Sequence, residues 1–305
     1  MKRNASLAVL TAGTLWGTMG IFVRGLNAAG LAAMEVVELR ILSGFAVVGL
    51  FLLLGKRELF RVRLRDLWCF LGTGIVSLLL FSFCYFSAMN HTSIAVAGVL
   101  LYTAPIFVML LSLLLFREHL TARKLTALLL AFSGCVLVSG LGSGEAVSLP
   151  GLLLGLGAGF FYALYSIFGR YAVNRGYSSW TITFYTFLFC ALGGAFLTDW
   201  TAIGIAVRQD RTVLLWIPAL AVFTAFLSYV LYAAGLRKME SSRASILASV
   251  EPVVCALVSV LVFREPIGFG GIAGILLVLT AIAVLSLEGK RRILEHSVNN
   301  SKEEL

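Results

Sequence analysis

Residues 110–118 of this chain read Leu-Leu-Ser-Leu-Leu-Leu-Phe-Arg-Glu, and residues 257–265 read Leu-Val-Ser-Val-Leu-Val-Phe-Arg-Glu. Six of these nine residues are identical, and the same offset of 147 positions relates Pro105 to Pro252. Chance is a poor explanation for aligned matches of this length. The sequence therefore indicates an internal duplication.

Composition places the duplicated chain in a membrane. Hydrophobic residues make up 60% of the 305 residues, charged residues only 13%, and the mean hydropathy is +0.97. Such a chain has too little polar surface to cover a soluble globule. A bilayer core needs helices of about 20 residues, because backbone amides in hydrocarbon must be paired within the helix. We predict an all-α integral membrane protein with ten transmembrane helices: 6–24, 32–54, 67–89, 93–116, 122–141, 150–173, 180–198, 213–235, 243–263 and 267–287.

The distribution of Lys and Arg predicts the orientation, because short cytoplasmic loops retain positive charge. With the N-terminus inside, cytoplasmic segments hold 19 of the 24 basic residues and outer segments hold four, while Arg40 lies within a span. Both termini are therefore predicted to be cytoplasmic. Five spans per repeat is an odd number, so the repeats are inverted. We predict repeat 1 over 6–141, repeat 2 over 150–287 and a cytoplasmic tail over 288–305.

Several classes of function are disfavoured by the same sequence. The net charge of +9 follows from loop topology, so we predict no nucleic-acid partner. The five cysteines show no close pairing, and the three histidines lie at loop edges or in the tail. They predict neither a disulfide framework nor a metal site. We therefore predict no cofactor, no metal and no enzymatic activity.

Motifs along the chain resemble the EamA-type branch of the drug/metabolite transporter superfamily. They are Trp16-Gly17, Leu39-Arg40, the Leu-Leu-Tyr-Thr-Ala-Pro-Ile-Phe-Val run from Leu100, and the Ser-Val-Glu-Pro-Val-Val run from Ser249. The resemblance implies a ten-helix carrier in the cell membrane that exports small metabolites, often amino acids, by alternating access. An uptake carrier or a channel for a small organic solute is the alternative, and a membrane sensor or an enzyme is less favoured. The expected partners are the solute and lipid, and a homodimer stays open.

Charged residues within the spans point to the solute path, because a charge at membrane depth usually faces a cavity or a partner. Arg40 fits either a fixed ion pair or an anion clamp for the carboxylate of an amino acid. Glu251 lies mid-span, and its repeat counterpart is Ala104, so the duplication alone does not require an acid there. It fits either a structural cap on a kinked helix or a proton-coupling group.

Prolines and aromatic residues complete the candidate site. Pro105 and Pro252 each remove a backbone hydrogen bond at equivalent mid-span positions, so they fit either helix packing or paired hinges. Aromatic rings within the spans fit either a solute surface or the aromatic belt at the membrane surface. The candidate solute-binding residues are Trp16, Arg40, Tyr85, Tyr102, Tyr162 and Tyr232.

The predicted topology is testable with reporter fusions. A reporter fused after Gly144 should lie outside the cell, and one fused after Arg175 should lie in the cytoplasm, because the basic loops set these sides. Alkaline phosphatase and green fluorescent protein activities measure the two locations. Both fusions reporting the same side would rule out inverted repeats.

Overall fold

The described part of the chain is entirely helical in its regular structure. The computed structural model describes residues 2–139 and 148–285, and within these ranges no β-strand occurs. Seven helices in these ranges are long and apolar enough to cross a membrane. They are α1 (Asn4–Ala28), α2 (Ala33–Gly55), α3 (Leu64–Met89), α4 (Ile94–Phe116), α6 (Leu149–Asn174), α8 (Val213–Leu236) and α9 (Ser241–Leu261).

Three shorter helices coincide with the other predicted spans. They are α5 (Ala122–Val138, 17 residues), α7 (Ser179–Gly194, 16 residues) and α10 (Phe269–Leu285). A further helix, Trp200–Gln209, connects α7 to α8. The all-helical fold is thus confirmed, and membrane crossing by all ten helices stays a prediction. The predicted tail over 288–305 and the fusion site at Gly144 lie outside the described residues.

Helices are exchanged between the two halves of the chain. The first helix of the first half, α1, packs against α8 and α9 of the second half. The first helix of the second half, α6, packs against α3 and α4 of the first half. Likewise α2 packs against α7 and α8, and α7 packs against α2 and α3. The hydrophobic core therefore lies between the halves, and neither half buries its apolar faces alone.

Interruptions of the helices recur at equivalent places. Helix α4 is broken at Tyr102–Thr103 and helix α9 at Ser249, 147 positions after Tyr102. Wide π-helical turns occupy Gly72–Leu79 in α3 and Ala221–Leu227 in α8. Such turns are frequent at functional sites, since they displace side chains from the regular helical positions. Helix α1 is broken at Thr18, whereas α6 is continuous, so the two halves are not identical.

The repeated Phe-Arg-Glu motifs adopt the same conformation. Arg117 has a φ of 53° and Arg264 a φ of 57°, both in the left-handed region that non-glycine residues seldom occupy. In each motif, the backbone N–H of the glutamate after the arginine donates to a carbonyl oxygen of the last helical turns. Glu118 N donates to Ser112 O at 3.2 Å, and Glu265 N donates to Ser259 O at 3.0 Å. Each motif therefore ends its helix and turns a glutamate away from the helix axis.

Close backbone contact joins the last helices of the two halves. A Cβ atom at Gly134 of α5 would lie 2.7 Å from the carbonyl oxygen of Gly274 in α10. A Cβ at Gly274 would lie 2.6 Å from the carbonyl oxygen of Gly134. Both positions thus require glycine, as is usual where membrane helices cross closely.

Candidate functional site

A cavity of about 440 Å³ lies between the two halves of the protein. It reaches from the middle of α2 and α9 to the end of the bundle where α1 and α3 finish and α4 begins. Its size suits a small organic molecule. Five of the six predicted solute-binding residues and the predicted proton-coupling residue line it: Trp16, Arg40, Tyr85, Tyr102, Tyr162 and Glu251.

Arg40 reaches the cavity wall from α2 and is 5% exposed. Its Nη1 lies 2.7 Å from the sulfur of Met19, and its Nη2 lies 3.4 Å from the hydroxyl of Tyr229. The Nε atom is buried without a hydrogen-bond partner. A thioether is a weak acceptor, and within the described ranges Arg40 forms no ion pair. The guanidinium is therefore left with unused donor capacity beside the cavity.

Glu251 lies on the same wall, two residues after the interruption of α9 at Ser249. The hydroxyl of Tyr162 donates a long hydrogen bond of 3.5 Å to its Oε2. No basic side chain of the described ranges forms a salt bridge with this carboxylate. One cationic and one acidic side chain thus share a cavity without being paired to each other.

The two acids of α2, Glu35 and Glu38, lie away from the cavity. Glu38 is 2% exposed and packs beside Gly194 of α7. Glu35 accepts a hydrogen bond from the amide of Asp199 at 3.3 Å. Glu38 and Arg40 stand two positions apart on α2, so their side chains leave different faces of the helix and contact different neighbours.

Seven aromatic rings also line the cavity. The Trp16 ring lies 5.2 Å from Tyr229 and 6.5 Å from Tyr162, both in edge-on geometry. Tyr85 follows Phe81 along α3, with 5.9 Å between ring centroids. Edge-on and offset rings of this kind make a rigid apolar surface.

Tyr232 is the predicted solute-binding residue that does not line the large cavity. It is 4% exposed, and its hydroxyl shares a hydrogen bond of 2.8 Å with Ser166. It borders a cavity of only about 30 Å³, deeper in the protein, together with Tyr102, Tyr162 and Pro105. Pro252 is buried and lines none of these spaces.

The structure also adds residues that were not predicted from the sequence. Tyr229 contacts Arg40, and its repeat counterpart Ser82 lines the same cavity. Met19 touches Arg40 from the broken turn of α1. Tyr229 stands three positions before Tyr232, so helical periodicity could have drawn attention to it. No sequence signal connects Met19 with Arg40, because they meet only through tertiary packing.

The mouth of the cavity carries an ion pair between Arg24 and Glu265. Arg24 Nη2 lies 2.5 Å from Glu265 Oε1, and the Arg24 guanidinium stacks 3.8 Å above the Phe263 ring. Hydrogen bonding from Arg24 lowers the pKa of the Glu265 carboxyl below its usual range. The pair is therefore charged at neutral pH. It is lost only in acid below the usual range of glutamate, once Glu265 takes up a proton.

Comparison with known proteins identifies relatives along the whole chain. The model of the EamA-like transporter family matches residues 3–140 and again 149–287. An uncharacterized transporter of Archaeoglobus fulgidus is 29% identical over 284 residues, covering 92% of this chain and 96% of the relative. The uncharacterized inner membrane transporter YicL of Salmonella typhimurium is 23% identical, covering 95% and 97%. One solved crystal structure, 20% identical, shares the fold with a TM-score of 0.80 over 95% of this chain.

Gly17 is expected to be essential for the position of Glu251. A Cβ atom at Gly17 would lie 2.6 Å from the carbonyl oxygen of Glu251, so Gly17→Ala should push α1 away from α9. Overpacking of this kind costs about 1–3 kcal/mol, which should appear as a lower thermal unfolding midpoint in detergent. Gly20→Ala is the matched control on the same helix, because a Cβ there meets nothing within 4 Å. Equal midpoints for the two variants would contradict the close contact.

Proposed function

This chain belongs to the EamA-like transporter family, and from that premise we propose that it is a secondary active carrier that exports small metabolites such as amino acids. Its relatives are named transporters, and one is named an inner membrane transporter, so the chain is a multi-pass protein of the cell membrane. The family and these names indicate a transporter rather than an enzyme. The substrate class, the direction, the coupling and the mechanism belong to the proposal.

The proposed architecture is ten transmembrane helices in two inverted repeats, with both termini in the cytoplasm. The exchange of helices between the halves supports it, since α1 packs against α8 and α9 as α6 packs against α3 and α4. Inverted repeats give two conformations of similar energy, each open to one side. Alternating access follows naturally from such a fold.

The observation that carries the proposal is the cavity shared by Arg40 and Glu251. Arg40 has a buried Nε without a partner, and Glu251 has only one long hydrogen bond. A solute carboxylate would supply the missing acceptor for Arg40, and charge-assisted bonds of this type are strong. The aromatic wall would accommodate an apolar side chain of the solute. An amino acid combines both features.

A carrier is favoured over a channel because one end of the helix bundle is open and the other is closed. The cavity reaches the end where α4 begins, which is the outer end in the predicted topology. At the opposite end, Glu118 bonds the amide of Ser241 at 2.7 Å, and Lys124 pairs with Glu240 at 2.5 Å. A channel needs a path open at both ends. One closed end is typical of a carrier.

Proton coupling through Glu251 completes the proposal. Glu251 is an acid on the cavity wall, so it can release its proton to whichever side the cavity faces. Pro105 and Pro252 lie just after the interruptions of α4 and α9, and we assign them as hinges. An imported proton would then drive export of the solute.

Removing the Arg40 guanidinium should weaken the binding of solutes that carry a carboxylate. Loss of a charge-assisted hydrogen bond weakens binding by about 1.5–3 kcal/mol, or roughly 10- to 140-fold in Kd for Arg40→Ala. Arg40→Lys should restore little, because an ammonium lacks the planar fork. Calorimetry or scintillation proximity with amino acids measures the affinity.

Arg208→Ala serves as the control for lost positive charge, since Arg208 is exposed on the connecting helix. Its affinity should equal that of the unaltered protein. Unchanged affinity in folded Arg40→Ala protein would remove Arg40 from the binding site.

Glu251→Gln should separate exchange from coupling. The amide imitates the protonated acid, so counterflow of solute at equal pH should continue, while accumulation driven by a pH gradient should vanish. Both are measured in the same proteoliposomes. Glu38→Gln is the matched control, because Glu38 is another acid within a span, more deeply buried than Glu251, and does not line the cavity. Coupled accumulation that survives in Glu251→Gln would assign the proton to another group.

A further inference from the structure

Glu118 closes one end of the protein by binding the first turn of α9. Its Oε1 accepts from Ser241 N at 2.7 Å, and its Oε2 accepts from Ser242 N at 3.2 Å and from the Ser242 hydroxyl at 2.5 Å. The amides at a helix start carry partial positive charge and favour an anion. Ser241 and Ser242 are 0% and 1% exposed, and Glu118 itself is half-buried at the edge of a solvent-open space of about 470 Å³. We call this contact the Glu118 latch.

Arg170 reinforces the Glu118 latch from α6. Its Nε donates to the Ser241 hydroxyl at 3.0 Å, and its Nη2 donates to the Met239 carbonyl oxygen. The chain segment that enters α9 is thereby held by one helix end from each half of the protein. Together, the bonds made by Glu118 and Arg170 hold this end of the protein closed.

The opposite end holds every counterpart of the latch, but arranged differently. Glu265 corresponds to Glu118. Each follows an arginine in the left-handed conformation, and the backbone N–H of each donates to the carbonyl oxygen of a serine near the helix end. Ile94 and Ala95, the first residues of α4, correspond to Ser241 and Ser242 by the offset of 147. Ile94 is 70% exposed and lines the mouth of the cavity. The start of α4 therefore lies open where the start of α9 is covered.

Glu265 is occupied by a different partner in this conformation. It pairs with Arg24, and the two side chains are 43% and 52% exposed. Arg24 corresponds to Arg170 in the duplicated sequence, since Trp16–Arg24 aligns with Tyr162–Arg170. The same residue types thus make half-buried contacts with the start of α9 at the closed end and a more exposed ion pair at the open end.

We propose that Glu118 and Glu265 are reciprocal latches that determine which end of the carrier is closed. In the state seen here, Glu118 at the end of α4 binds the start of α9. In the opposite state, Glu265 at the end of α9 leaves Arg24 and binds the amides of Ile94 and Ala95 at the start of α4, while Glu118 releases Ser241. Helices α4 and α9 are interrupted at their middles, so bringing one pair of ends together separates the other pair. This inference rests on the proposed alternating access.

The test uses matched cysteine reporters at the two helix starts. Ile94→Cys reports opening of one end and Ser241→Cys reports opening of the other, each in a Cys255→Ser background. Cys255 is exposed on the cavity wall, whereas the other four cysteines are buried and give a low background. Ser241 binds Glu118 through its amide, which the cysteine keeps, and the cysteine sulfur replaces the Ser241 hydroxyl as a weaker acceptor for Arg170 in every variant compared. The rate of maleimide labelling is measured on purified protein in detergent, where both ends are accessible and membrane orientation is irrelevant.

Substituting the two glutamates should change the labelling rates of the reporters in opposite directions. Adding Glu118→Gln should slow labelling at position 94 and speed it at position 241, shifting the ratio of the two rates by about tenfold. Adding Glu265→Gln should shift the ratio the other way. Glu58→Gln, at an exposed site, should leave it unchanged. Faster labelling of both reporters would indicate general loosening and overturn the proposal, as would a constant ratio.

The outcome is independent of the transport measurements. The labelling assay contains no solute and no pH gradient, so it can succeed even if Arg40 and Glu251 prove unimportant. Conversely, coupled export could be observed while neither glutamate variant changes the ratio of the two labelling rates. That result would support the proposed function and overturn the proposal of reciprocal latches.

Discussion

Backbone N–H and C=O groups in a bilayer have no water to bind, and the rest of this structure follows from that constraint. It explains why the described regular structure is helical and why its interruptions occur beside neighbouring helices. At the break in α1, the Thr18 hydroxyl binds the carbonyl of Leu15 at 2.7 Å. At the break in α4, the Thr103 hydroxyl binds the carbonyl of Leu100 at 2.6 Å. Side chains thus satisfy the carbonyl groups where helical pairing is lost.

Those interruptions are what give the protein a cavity. Regular helices with apolar side chains would pack along their whole length and leave little space. Breaks in α1, α4 and α9 let these helices diverge around Arg40 and Glu251. The π-helical turns at equivalent places in α3 and α8 are followed directly by the cavity residues Phe81, Ser82 and Tyr229. Departures from regular structure therefore coincide with the chemistry, as is usual for functional sites.

Sequence reasoning predicted the helices well, together with several of the residues that line the cavity. Hydrophobic runs located the helices, because a bilayer imposes one length on all of them. Arg40 and Glu251 were singled out because charges in such runs are rare, and both line the cavity. Tyr85 and Tyr232 are equivalent by the offset of 147 positions, yet only Tyr85 lines the large cavity. The large cavity opens toward the start of α4 and not toward the start of α9, so equivalent residues of the two halves occupy different surroundings. The contact of Met19 with Arg40 depends on tertiary packing, which composition and periodicity do not encode.

The glycine contact between α5 and α10 has a consequence for biosynthesis. Gly134 and Gly274 are separated by nearly half of the chain, and each offers its backbone to the other. Helix α10 is the last described helix to be synthesised, so the glycine face of α5 has no partner until the end of translation. The first half also lacks its packing partners for α1 and α2 until α8 has been inserted. Assembly is therefore completed only after synthesis is nearly finished, and the halves mature together rather than one after the other.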